Sequence, residues 1–257
     1  MAASDAGYDP VWNQVGRFAG YFAGVALLVI VALSLADGLG VLGSAPTYKS
    51  TPAGPTQDEV TYWIGFFAHR RQIDWDVFVR DSLQALANLA IFAVSLAVFN
   101  LVGTRRAIAQ LALAAFGLGA LLNIFDALAW LTLAQYWRSD WSQAAPQIML
   151  AVGRDTEVIQ SLSHLYTDMS DISLGIGVFL LARLARPGGR LPQRLRYLAY
   201  AGALLLVLSL VAGEAQLDTA SLVLTLASAV VFPALLIWLG RHFEKQQLSK
   251  AQPSEAH

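Results

Sequence analysis

Six apolar runs, each close to the thickness of a bilayer, set the pattern of this chain. They cover about residues 18–36, 83–102, 107–133, 165–185, 195–213 and 219–239. A helix needs about 20 apolar residues to cross the hydrocarbon layer. The fourth run is the weak one. Its apolar stretch is only Ile172–Ala185, and it reaches spanning length only if the helix starts further back. Length and richness in Ala and Leu favour helices over strands, and lipid offers no water to satisfy an open backbone. The prediction is an all-α polytopic transmembrane helix bundle of six spans over residues 1–240, followed by a polar tail, 241–257, expected to fray.

Basic residues orient the bundle. With the amino terminus inside, Arg17, Arg105, Arg106, Arg183, Arg186, Arg190, Arg194, Arg196, Arg241, Lys245 and Lys250 fall on the cytoplasmic side. Lys49, Arg70, Arg71, Arg80, Arg138 and Arg154 fall outside, most of them in the two longer loops. The short loop Arg186-Pro187-Gly188-Gly189-Arg190 is the strongest marker, and the positive-inside rule predicts a multi-pass cell-membrane protein with both termini cytoplasmic. Asp5 and Asp9 precede the first run with only Arg17 between, a poor signal-peptide pattern, so the first run is expected to be retained.

The outer loops differ from each other. Residues 44–62 are rich in Pro, Thr and Gly and read as irregular. Tyr62-Trp63-Ile64-Gly65-Phe66-Phe67 and Ile73-Asp74-Trp75 read as a segment lying in the membrane interface, with Trp137 and Trp141 at the same level, because aromatic rings settle there. A lid over a binding site is the alternative reading.

Composition narrows the chemistry. The 257 residues are 56% hydrophobic and 14% charged, against about 25% charged in soluble domains. Absence of cysteine excludes disulfides, thiolate metal sites and thiol nucleophiles. Paired-histidine motifs, a nucleophile elbow and a phosphate loop are missing, and no span carries a lysine for a Schiff base. The pattern argues more against an enzyme than for one, and nothing in it suggests nucleic acid. Gly38-x-Gly40-x-x-Gly43 imitates a dinucleotide fingerprint but follows a membrane helix and lacks the acid that would bind a ribose.

Polar residues inside the spans are the candidates for function, since burying them in lipid is costly. Glu157, Ser161, His164, Asp168 and Asp171 recur at helical spacing and would form one stripe if the fourth helix began early. If it began late, Asp168 and Asp171 would simply cap it. Asp81, Gln84 and Asn88 line up on the second span, and Asn123 and Asp126 on the third. Depth counting leaves Asp37, Asp81, Glu214 and Asp218 at the boundary as caps or interfacial charges. It places Asn88, Asn123, Asp126, Asp168 and Asp171 inside.

Together with His164 those five make the candidate binding set, suited to a small cation or amine; packing glue is the competing reading. His164, Asp168, Asp171 and Asp126 are also the candidate metal ligands. The sequence predicts no organic cofactor, and a divalent cation is the one inorganic group these side chains suit. Gly16, Gly20 and Gly24 offer a close-packing face to a helix of this chain or of a partner. Pro233 interrupts the sixth span and is expected to kink it.

Gly16-Arg17-Phe18-Ala19-Gly20 at the first span and Pro233 with Trp238-Leu239-Gly240-Arg241 at the last carry a resemblance. In layout the chain resembles the bacterial six-span integral membrane proteins catalogued as a domain of unknown function. Where that pattern often has an arginine and a glutamate in the middle spans, this chain has Asn123 and Asp126. The resemblance implies a membrane location and no particular activity. Three functions fit the residues: a binder or carrier of a small cation or amine in an outward-facing cavity, a structural or accessory subunit, and a membrane-embedded metal-dependent hydrolase.

Overall fold

The computed structural model describes residues 11–39, 41, 55–103, 107–141, 144–185, 191–215 and 218–251. Among them are seven helices: α1 (Val11–Gly38), α2 (Pro55–Gln72), α3 (Asp74–Val102), α4 (Ala107–Arg138), α5 (Pro146–Leu184), α6 (Gln193–Glu214) and α7 (Asp218–Ala251). All except α2 are long and apolar enough to cross a membrane. The chain is a multi-pass membrane protein built as an all-α bundle. Arg105, Arg106, Arg186 and Arg190, on which the orientation leans, lie outside the described residues, as do Lys49, Gly40, Gly43 and the side chains of Glu214 and Asp218.

From α3 to α7 each span packs on the next, α1 closes the ring against α7 and α3, and α2 packs on α4 and α5. A Cβ on Gly16 would meet the Phe243 ring. On Gly20 it would meet the Gly240 backbone, and on Gly24 the Pro233 carbonyl and Ile237. The three glycines therefore let α1 and α7 run backbone against backbone, antiparallel, with both terminal ends of the bundle on one face. The two short motifs behind the family resemblance are the two sides of this one contact. α7 also continues in helix to Ala251, with Phe243 fully buried under Gly16. Residues 241–251 thus extend the last span and are not the frayed tail expected; Phe243 gives that turn an apolar anchor.

α5 corrects the reading of the fourth span. It starts at Pro146, a residue suited to the first helical position, after Ala145 in an extended conformation with no side-chain cap. Asp168 and Asp171 are therefore interior residues of a 39-residue helix and cap nothing. Its exposed apolar residues Val158, Leu162, Leu165, Met169, Ile172, Ile176 and Phe179 follow alternating steps of four and three. That stripe is about 32 Å long at 1.5 Å per residue, close to the ~30 Å hydrocarbon thickness. Arg154 and Asp155 flank one end and Arg183 the other. Asn88 is the middle residue of α3, and Asp171 lies near the middle of this stripe.

The first twelve residues of α5 overshoot the stripe and join a second core. There Trp63, Phe66 and Phe67 of α2 pack with Val77, Leu133, Trp137 and Met149. Residues 55–72 are thus a helix, where an irregular loop running into an interfacial segment was expected. Three of their aromatic side chains face protein: Phe67 is 2% exposed, Trp63 3% and Phe66 7%. Tyr62, Trp63, Phe66 and Phe67 stack edge-on and face-on along α2, which favours burial together over separate anchoring in headgroups. α2 joins α3 through Ile73 alone, a buried residue.

Candidate functional site

Between the two cores runs a polar layer. At its outer level, Asp37 of α1, Arg70 of α2 and Asp76, Arg80 and Asp81 of α3 form a lattice of charges. Arg70 and Arg80 approach Asp37 at 3.7 and 3.8 Å, and Arg80 lies 3.7 Å from both Asp76 and Asp81. Asp76 is 0% exposed and Asp81 3%. Asp37 and Asp81 are therefore members of an internal ion network, not the caps or interfacial charges expected from depth alone. Sequence reasoning counted Arg70 and Arg80 only as loop charges. The available signal was the Asp76–Arg80 spacing of one helical turn.

Next to this lattice His69 is also buried. Burial holds its imidazole below the ordinary histidine value, the Arg70 guanidinium adds to that, and Asp37 opposes it. Unfolding frees the ring to take a proton near its ordinary pKa of about 6.5. The unfolded chain then binds more protons, so this residue's contribution to stability is intact above that pH and is lost as pH falls below it. The melting temperature of the wild type is expected to drop on acidification from pH 7.5 to 5.5. His69→Gln should drop measurably less; parallel curves would refute the assignment.

One level deeper, Gln84 Nε2 donates to Asp126 Oδ2 at 2.8 Å, Ser163 Oγ donates to Asp126 Oδ1, and Trp130 Nε1 donates to Ser163 Oγ at 2.7 Å. This seam joins α3, α4 and α5. Asp126 is buried, and its hydrogen-bond donors Gln84 and Ser163 are both neutral, as suits an intramembrane carboxylate facing the bundle interior. Asn88 Nδ2 donates to the Gln84 main-chain carbonyl at 2.8 Å, and Asn88 Oδ1 accepts from Asn123 Nδ2 at 3.3 Å. From Ser163 and Asp126 the hydrogen bonds therefore continue through Gln84 and Asn88, at the middle of α3, to Asn123.

Asn88 and Asn123 line a cavity of about 190 Å³. Its lining draws on all six spans: Leu27, Ile30 and Val31 of α1, Asn88 and Ile91 of α3, Asn123 of α4, Asp171 and Leu174 of α5, Leu206 of α6, and Ser228, Ala229, Phe232 and Pro233 of α7. Pro233 lacks the N–H that would bond the carbonyl four residues earlier. That carbonyl belongs to Ala229, which also lines the cavity, and α7 runs on through Pro233 as one helix.

Of the predicted set, Asn88, Asn123 and Asp171 come together in this lining, and Asp126 sits one turn away in the hydrogen-bonded seam. Asp168 is half-buried one turn from Asp171, outside the lining. His164 is exposed, as are Ser161 and Glu157. The inward polar face of α5 is instead Thr156, Ser163, Ser170 and Ser173. No group of three or more His, Asp or Glu side chains arranged for a metal occurs among the described residues. Ser163 and Ser228 were missed because a serine carries little weight in a hydropathy pattern. Only a helix phase fixed by the neighbours turns either one inward.

Comparison of the chain with protein-family models, curated proteins and solved structures finds no match.

Proposed function

We propose that this membrane protein binds a small organic cation, an amine with an apolar body, in its mid-membrane cavity. The observation that carries the reading is the lining itself: a single carboxylate, Asp171, two amides, Asn88 and Asn123, and the Ser228 hydroxyl amid apolar side chains from five of the six spans. An Asp at this depth costs about 2.5–3.5 kcal/mol on the insertion scale. An ammonium group would recover much of that cost, and Leu27, Ile30, Leu174 and Phe232 would take the hydrocarbon. The basic-residue count favours both termini on the cytoplasmic side of the cell membrane, which turns the α2 end outward.

The test is ligand-dependent stability in detergent across a panel of alkyl and aryl amines. At a concentration one hundred times Kd, a ligand that binds only the folded state adds about 2.7 kcal/mol. A raised melting temperature with wild type, absent in Asp171→Asn, is the expected result. An amine that stabilises both proteins equally, or none that stabilises the wild type, overturns the reading. The accessory-subunit reading draws on the Asn88–Asn123 hydrogen bond, which ties α3 to α4 as packing glue would. It is favoured if Asn123→Ala lowers stability while no amine has any effect.

A further inference from the structure

Hydrogen bonds tie the cavity lining to the polar layer on one side: Asn88 bonds to Gln84, and Gln84 to Asp126. From Asn88 back to Asp76, α3 carries Gln84, Asp81 and Arg80 toward the α2 end over about 18 Å of helix. Along that path two arginines, Arg70 and Arg80, stand among four carboxylates, Asp37, Asp76, Asp81 and Asp126. Adding Asp171 makes the excess of formal negative charge larger still.

The ion pairs of the lattice span 3.7–3.8 Å, beyond direct hydrogen-bond reach. Both oxygens of Asp76, Oδ2 of Asp81, and Nε and Nη1 of Arg70 are buried without a hydrogen-bond partner. Burying a carboxylate without partners is costly, and water can bridge charged groups held at such distances.

Toward the opposite face the surroundings change character. Below the cavity lie Val94, Val98, Phe116, Val178, Leu181 and Leu235, all buried in one apolar cluster. The void among them is only about 20 Å³, walled by hydrocarbon side chains and Ser95. Ser95 spends its hydroxyl on its own helix, donating to the Phe92 carbonyl at 2.7 Å. An apolar void of that size stays dry.

We propose that the cavity is reached from the α2 face along a hydrated, electronegative column from Asp37, Asp76 and Asp81 past Gln84 and Asp126, and that the apolar layer seals it from the other face. The column selects for small cations: a low-dielectric passage with excess negative charge concentrates them and raises their arrival rate by about 10–10³-fold. The proposal builds on the cavity reading above, but passage of an ion and retention of an amine are separate measurements, and either can fail alone.

The chain has no cysteine, so single serine-to-cysteine variants report access directly. Ser228→Cys samples the cavity and Ser95→Cys the seal; both serines are buried and bond back to their own helices. Ser139→Cys, exposed beyond α4, marks the α2 face. In sealed vesicles, Ag⁺ applied to the face where Ser139→Cys reacts is expected to block later maleimide labelling of Ser228→Cys. The rate should be at least ten-fold above that of Ser95→Cys, and application from the opposite face should block neither. Adding Asp81→Asn, or Asp126→Asn if the first does not fold, should slow the Ser228→Cys reaction several-fold and leave Ser139→Cys unchanged. An unreactive Ser228→Cys, equal reaction from both faces, or a rate indifferent to both carboxylate substitutions overturns the proposal.

Discussion

Replacing Arg80 by methionine is expected to destabilise the protein by about 3 kcal/mol, the lower end of the range for breaking a buried pair from one side. Arg80 serves Asp37, Asp76 and Asp81 at once, and its removal leaves three carboxylates with Arg70 as their one cation in the lattice. The lower end applies because separations of 3.7–3.8 Å let water share the screening. Coupling should be plain: Asp76→Asn added to Arg80→Met is expected to recover part of the loss, since it removes the most deeply buried of the orphaned charges. Reversible unfolding in mixed detergent micelles measures both variants. A loss below about 1 kcal/mol, the range of an exposed pair, would mean that solvent already neutralises the lattice.

Gly20→Ala is the second large effect. Its new Cβ would stand 2.8 Å from the Gly240 nitrogen and the Leu236 carbonyl oxygen, and 2.9 Å from the Gly240 Cα. Those are backbone atoms, so no rotamer change relieves the clash, and α1 and α7 must separate. Overpacking a well-filled site costs about 1–3 kcal/mol; the upper end is expected for Gly20→Ala and more for Gly20→Leu. Gly202→Ala is the matched control, because its Cβ would find only ordinary contacts at 3.6 and 3.7 Å. It should stay within about 0.5 kcal/mol of wild type. Equal melting temperatures for the two alanine variants would show that the α1–α7 contact tolerates a wider spacing than the structure gives it.

Gly20 also separates what a motif says from what it leaves open. Small residues at every fourth position are legible as a close-packing face, because only a missing side chain lets two backbones approach. Whether the other backbone belongs to this chain is a question about α7, more than two hundred residues away, and only the fold answers it. The same holds for Asp171. Its place in an apolar run marks it as costly and therefore as a candidate, yet its company of Asn88, Asn123, Ser228 and Pro233 depends on six helices meeting at one level.

His164 shows the opposite outcome. Its spacing from Asp168 is that of one helical face, and the helix is continuous, yet the neighbours of α5 pack on Ser163 and Ser170 about 100° round from it. Spacing fixes which residues of a helix share a face, not which face the bundle covers. The burial of the α2 rings was not legible for a related reason. Rings suit a membrane interface and a protein core equally well, and no local feature separates them. The overshoot of α5 past the hydrocarbon supplies the partner surface that makes them a core.

The amino-acid sequence by itself determined that this is a helical membrane protein with six spans. That follows from run length and from lipid's refusal of unpaired backbone, both local properties. Tertiary structure decided the start of α5, the second aromatic core, the ion lattice on Arg70 and Arg80, and the convergence of three predicted polar residues on one cavity. Each of these depends on the rotation and level of one helix against another. Those are set by packing among residues far apart in the chain, and no window along the sequence contains them.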